Sequence, residues 1–155
     1  MRLDILAVGR LRDGPEATLA ADYAARATAT GRPLGLGPLA VAEIDERRAR
    51  DRDAQAARLV EAAADATLIA LDERGEALDS PGLARLLAAL RDGGARRAAF
   101  AIGGADGHGT ALLARADRRL SLGRMVWPHA LARVMLAEQL YRATAILAGT
   151  PYHRA

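Results

Sequence analysis

The chain has 155 residues, enough for one well-packed domain and short for two. Half of it is hydrophobic (51%) but only 3% is aromatic, so Ala, Leu, Val and Ile must build the core, and a subunit interface is an expected supplement to it. All 22 basic residues are Arg and Cys is absent, which excludes lysine Schiff bases, P-loop lysines, disulfides, thiolate metal sites and cysteine nucleophiles. The net charge of +3 is uneven: residues 1–114 hold 15 Arg against 17 acidic residues, whereas 115–155 hold 7 Arg against only Asp117 and Glu138. Clustered guanidinium suits a polyanion, although a basic surface without a ligand has the same composition.

The opening MRLDILAVGR has an apolar stretch too short for a signal peptide, and no run approaches the ~18 residues of a membrane span. A soluble, cytoplasmic protein with no membrane partner is expected. Leu3–Val8 reads as a buried strand. Pro15, after Asp13-Gly14, starts a helix to about Thr28. A second strand fits Leu39–Ile44. The charge run Asp45 to Asp53 reads as a solvated loop or frayed helix start, ahead of an Ala-rich helix from Ala54 to Ala64. Thr67–Leu71 is a third strand, expected to end in a loop at Asp72-Glu73-Arg74-Gly75. Ser80-Pro81 signals a cap for a helix to about Arg91. Ala98–Ile102 is a fourth strand that runs straight into glycine. Alternation of this kind implies one α/β domain, a mainly parallel sheet flanked by helices.

The glycine loop Gly103-Gly104-Ala105-Asp106-Gly107-His108-Gly109 follows that strand. Glycines at a strand's carboxyl end expose backbone N–H groups and let a ligand approach closely. The spacing is not G-x-G-x-x-G, and a Walker reading lacks its lysine, so NAD and ATP are disfavoured. A plain tight turn explains the loop equally well. His108 is expected to be solvent-exposed, and Asp106 to cap the helix that begins near Thr110.

Leu120–Leu122 suggests a last short strand, and Pro128 suits the first turn of a helix running from His129 to Ala148. That helix is apolar almost all round, so it should be buried on every side, which points to a subunit interface. Glu138 and Arg142 stand at i, i+4 in the favourable order, and an ordinary intrahelical pair would account for them. The chain ends Tyr152-His153-Arg154-Ala155: a stacking ring, a group that titrates near neutrality and a phosphate clamp, or an ordinary tail.

Three segments together, AIGGADG, LSLGRMVWPHALARVMLAEQLYRA and PYHRA, resemble the ribosomal RNA large subunit methyltransferase H family of the SPOUT superfamily. The likeness spans essentially the whole chain and includes MRLDILAVGR and LDERGEALDSPGLA. It implies an enzyme that methylates N3 of a pseudouridine in 23S ribosomal RNA on the ribosome, with S-adenosylmethionine as methyl donor and no metal. It also implies an obligate homodimer and a single SPOUT domain over 1–155, with a deep trefoil knot in residues 67–155. The cofactor loops map onto the segment from Leu71 to Glu73, onto Gly103 and Gly104, and onto Leu122, Gly123, Arg124, Met125, Val126, Trp127 and Pro128. Gly123-Arg124, Trp127 and His108 depart from the residues usual in the family at those places.

Pseudouridine N3 lies between two carbonyls and must lose its proton before it is methylated. Arg142 and Arg154 are candidates to stabilise the resulting anion and to hold phosphate. His129 and His153 are candidates for the base, and Tyr152 for stacking on the nucleotide. Two other readings stand beside this one: a related SPOUT enzyme acting on another RNA such as tRNA, and a non-enzymatic ribosome- or RNA-binding protein.

Overall fold

A computed structural model describes residues 1–153. In chain order the elements are β1 (Arg2–Val8), α1 (Pro15–Gly31), β2 (Leu39–Ile44), α2 (Arg52–Ala63), β3 (Thr67–Ala77), α3 (Ser80–Asp92), β4 (Arg97–Ile102), α4 (Thr110–Arg115), β5 (Arg118–Ser121) and α5 (His129–Leu147). The five strands pair in the order β2-β1-β4-β3-β5, every pair parallel. The expected α/β class and the parallel sheet are present.

Two apolar layers sandwich the sheet. Alternate residues of a strand face opposite sides, so Leu3, Ile5 and Ala7 of β1 join Phe100 and Ile102 of β4 beneath α1, α3 and α5. Leu6 and Val8 join Ala99, Ala101, Leu68 and Ala70 beneath α2 and α4. Three alanines pave that second face, which leaves room for Ala56, Leu59 and Ala63 of α2 to sit close to the strands. The low aromatic content thus leaves one buried ring, Phe100, among the largest fully buried side chains.

Helix starts follow local chemistry. Pro15 opens α1 behind Gly14. The Asp51 carboxylate accepts the Ala54 N–H at 2.8 Å and caps α2, so the charge run resolves into turns and then a helix. The cap of α3 is Asp79, one residue before the expected Ser80; its carboxylate accepts the Gly82 N–H at 2.6 Å. Ser80 instead donates its hydroxyl proton to Gln139 of α5 at 2.7 Å.

Three expectations need correction. Residues Asp72–Gly75 do not leave the sheet: β3 continues to Ala77, and a bulge lets both Leu71 and Glu76 pair with Leu120 of β5. Gly75 permits this, because a Cβ there would lie 2.6 Å from the Leu120 carbonyl carbon. The last strand is Arg118–Ser121 rather than Leu120–Leu122. Finally, α5 is not buried on every side within the chain. Arg133, Leu136, Ala137, Leu140 and Ala143–Ala145 form its inner stripe, while Leu131 remains 40% exposed. Among the described residues no helix is long and apolar enough to cross a membrane.

Candidate active site

The carboxyl ends of β3, β4 and β5 surround a cleft of about 630 Å³. Three segments build it. The bulged part of β3 contributes Leu71, Asp72, Glu73 and Arg74; the glycine loop contributes Ile102 to His108; the stretch between β5 and α5 contributes Leu122, Gly123, Met125, Val126, Trp127 and His129. Each loop is held by a definite feature. The bulge fixes the first against β5. In the second, Gly104 and Gly107 bridge to each other, and the Gly107 N–H donates to the Gly104 carbonyl at 3.0 Å. A Cβ on Gly103 would lie 2.9 Å from the Gly107 carbonyl group, so only glycine allows the loop to fold back so tightly. In the third, the Ser121 hydroxyl donates to the Gly123 carbonyl and accepts the Gly123 N–H, with Gly123 at φ 110°.

Nine of the eleven residues named for the cofactor loops line this cleft: Leu71, Glu73, Gly103, Gly104, Leu122, Gly123, Met125, Val126 and Trp127. Arg124 and Pro128 lie in the third segment but are exposed and do not line it. Of the expected catalytic residues that the structure describes, His129 alone lines the cleft. Sequence reasoning passed over Arg52, Arg74, Leu113, Arg119 and Ala132, which also line it. Arg52 lies in the charge run and Arg119 in a strand, and nothing in the local pattern ties either to the glycine loop.

His108 overturns the expectation of an exposed loop residue. It is half-buried, and its ring lies 3.0 Å from the Leu71 carbonyl through Nε2. A carbonyl only accepts, so Nε2 carries the proton and Nδ1 is a bare acceptor, buried and without a partner among the described residues. Burial lowers the His108 pKa from its ordinary value, opposed by the Leu71 carbonyl and the Asp72 charge. The side chain thereby ties the glycine loop to β3 at the floor of the cleft. Asp106 is exposed and caps nothing; Gly109 occupies the start of α4.

Arg142 and Tyr152 gather elsewhere, around Glu138. The Arg142 guanidinium pairs with Glu138, with Nε at 3.0 Å, and this partner raises its pKa. Tyr152 donates its phenolic proton to the same Glu138 oxygen at 2.9 Å. Its ring packs 4.5 Å from Tyr141, centroid to centroid, and lies 4.7 Å from the Arg142 guanidinium carbon. Burial and the Glu138 charge push the Tyr152 pKa up, so the phenol keeps its proton. The ring expected to stack on a base is therefore packed within the chain. His153 is half-buried, and Arg154 lies outside the described residues.

An open parallel sheet with a glycine-walled cleft at its carboxyl edge is the architecture in which α/β proteins ordinarily admit a small ligand. Comparison with known proteins gives the kind. The family described as "Predicted SPOUT methyltransferase" matches residues 1–153. Proteins named ribosomal RNA large subunit methyltransferase H are similar over the full length. Those of Cereibacter sphaeroides and Roseobacter denitrificans are each 57% identical over 155 residues, and that of Maricaulis maris is 54% identical over 156, with 99% of both chains covered in each case. The chain belongs to the SPOUT methyltransferase family, among the ribosomal RNA large subunit methyltransferase H proteins.

Proposed function

We propose that the protein methylates N3 of a pseudouridine in 23S ribosomal RNA on the assembled ribosome, in the cytoplasm, as a homodimer using S-adenosylmethionine. The observation that carries the reading is the convergence of three separate carboxyl-edge segments on one cleft, in a chain with full-length relatives named for this class of enzyme. The lining suits the cofactor chemically. Leu71, Ile102, Leu122 and Met125 offer apolar surface to a flat heterocycle, and Asp72 and Glu73 offer carboxylates to hydroxyls and to cationic groups. The buried Nε1 of Trp127 and Nδ1 of His108, a donor and an acceptor without partners among the described residues, remain for polar edges. When bound, the cofactor supplies an electrophilic methyl group on a sulfonium.

The protein's own task is to bring the imide nitrogen in line with that methyl and to remove one proton. His129, exposed at the cleft wall, is the base candidate on the cofactor-bearing protomer. His153 and Arg154 are the groups a second protomer presents to the base, Arg154 steadying the charge that develops on the uracil oxygens. Because Arg142 is neutralised by Glu138 and Tyr152 is packed on Tyr141, these two act by holding the tail in place. Residues 67–155 would carry the knotted threading, consistent with α5 crossing back from beyond β5, the edge strand, to pack on α1.

The test uses ribosomes from a strain lacking the protein. Incubation with labelled S-adenosylmethionine should methylate one pseudouridine of 23S RNA, and His153→Ala or Arg154→Ala should abolish this while cofactor binding stays near normal. Label appearing in tRNA instead, or no cofactor binding by calorimetry, would refute the reading.

A further inference from the structure

Arg133 is only 4% exposed, and apart from Asp4 it is the one charged residue so deeply buried among those described. Its place in the topology is informative. In the order β2-β1-β4-β3-β5, the chain leaves β1 towards β2 and leaves β4 towards β5. The loops after these adjacent strands therefore diverge, and such a switch point is where open α/β sheets ordinarily admit a ligand. Here Arg133 reaches down from α5 to the end of β1. Its Nη2 donates to the Val8 and Gly9 carbonyls at 2.7 and 2.6 Å, and its Nη1 donates to Glu43 at 2.9 Å. Glu43 in turn accepts the Leu11 N–H at 2.7 Å, so the loop after β1 is tied into the same cluster. The last carbonyl of β1, Val8, and the Gly9 carbonyl just past it are thus met by a guanidinium, and the cleft lies over β3, β4 and β5 instead.

The same residue sits one helical turn beyond His129 and directly after Ala132, both of which line the cleft, and Trp127 immediately precedes that turn. We propose that Arg133 is a positioning residue: it seals the β1 end of the sheet and pins the start of α5 there, which sets the Trp127–His129 wall against the cofactor site. The proposal rests on the cofactor reading above only for what the wall faces. Its charge does not act on substrate; its fork geometry, three bonds in two directions, is the feature that matters, and a lysine cannot reproduce it.

Trp127 is the only tryptophan in the chain, so its fluorescence reports the wall with no cofactor present. Arg133→Met, Arg133→Lys and Glu43→Gln would be compared with Leu59→Ala, a cavity variant on the opposite face of the sheet. In the folded protein, verified by far-UV circular dichroism, Arg133→Met should red-shift the emission and raise acrylamide quenching. It should also weaken calorimetric binding of S-adenosylhomocysteine by about tenfold. Arg133→Lys should fall between, and Leu59→Ala should lower the melting temperature yet leave emission and affinity as they were. Wild-type emission and affinity in Arg133→Met, or equal changes in Leu59→Ala, would overturn the proposal. Should Arg133→Met fail to fold, Arg133→Lys and Glu43→Gln decide by the same readouts. An emission shift in a protein that never binds S-adenosylhomocysteine would sink the cofactor reading and leave the positioning role standing.

Discussion

His108 joins the glycine loop to β3 through the Leu71 carbonyl, and burial holds its pKa below the ordinary imidazole value of about 6.5. A histidine depressed in the folded state takes up a proton more readily when unfolded. Its contribution to stability is therefore fully present above about 6.5 and is lost as pH falls through the folded-state value. The melting temperature of the wild type should drop between pH 7 and pH 5 by more than that of His108→Gln, measured by scanning calorimetry. Parallel curves for the two proteins would exclude the half-buried imidazole as the source. Glu138 is the other residue on which local chemistry converges, since it accepts from both Arg142 and Tyr152. Glu138→Ala should release the tail, lowering turnover while leaving S-adenosylhomocysteine affinity unchanged in a calorimetric titration.

At the scale of elements, the bulge in β3 decides the shape of the cleft. Its geometry depends on Gly75, which lies against the backbone of Arg119 and Leu120. Gly75→Ala must push β5 away, at a cost of about 1–3 kcal/mol for an overpacked site, and should weaken cofactor binding as well, because Leu71 to Arg74 move with it. Denaturant unfolding alongside calorimetry would check both effects. Helix α5 is secured differently, by Leu136 and Leu140 packed under it with 2% and 0% exposure. Leu140→Ala should cost about 2–5 kcal/mol in the same unfolding experiment, with little local compensation, since the neighbouring Ala137 and Ala143 are too small to fill the gap.

For the whole molecule, assembly has a physical handle. Met125 and Val126 are 69% and 90% exposed at the cleft mouth, and Leu131 adds apolar surface on the first turns of α5. Apolar side chains this close together are costly to leave in water and suit a second copy of the chain. Sedimentation should find a dimer, and Val126→Asp with Leu131→Asp should shift it to monomer and abolish methylation without unfolding it. A wild-type monomer with full activity would remove the shared-site mechanism.

The sequence by itself determined the class of the fold, since buried strands such as Leu68–Ala70 and Ala98–Ile102 are continuous apolar runs, and helices between them begin at Pro or Asp with ordinary cap chemistry. It also marked most of the cleft, but only through the family resemblance carried by AIGGADG and the Trp127-Pro128-His129 stretch, since the glycines after a strand fit a plain tight turn equally well. It could not show that Asp72–Gly75 stays in the sheet: that depends on β5, more than forty residues later, approaching Gly75 at backbone distance. Nor could it show that a loop histidine is half-buried or that Tyr152 is already packed, as both follow from partners distant in the chain, Leu71 and Glu138. Local sequence fixes what a residue can do, through its propensity and its chemistry. Which of those possibilities is used depends on long-range packing, which desolvates one group, pairs another and leaves a third at the cleft wall.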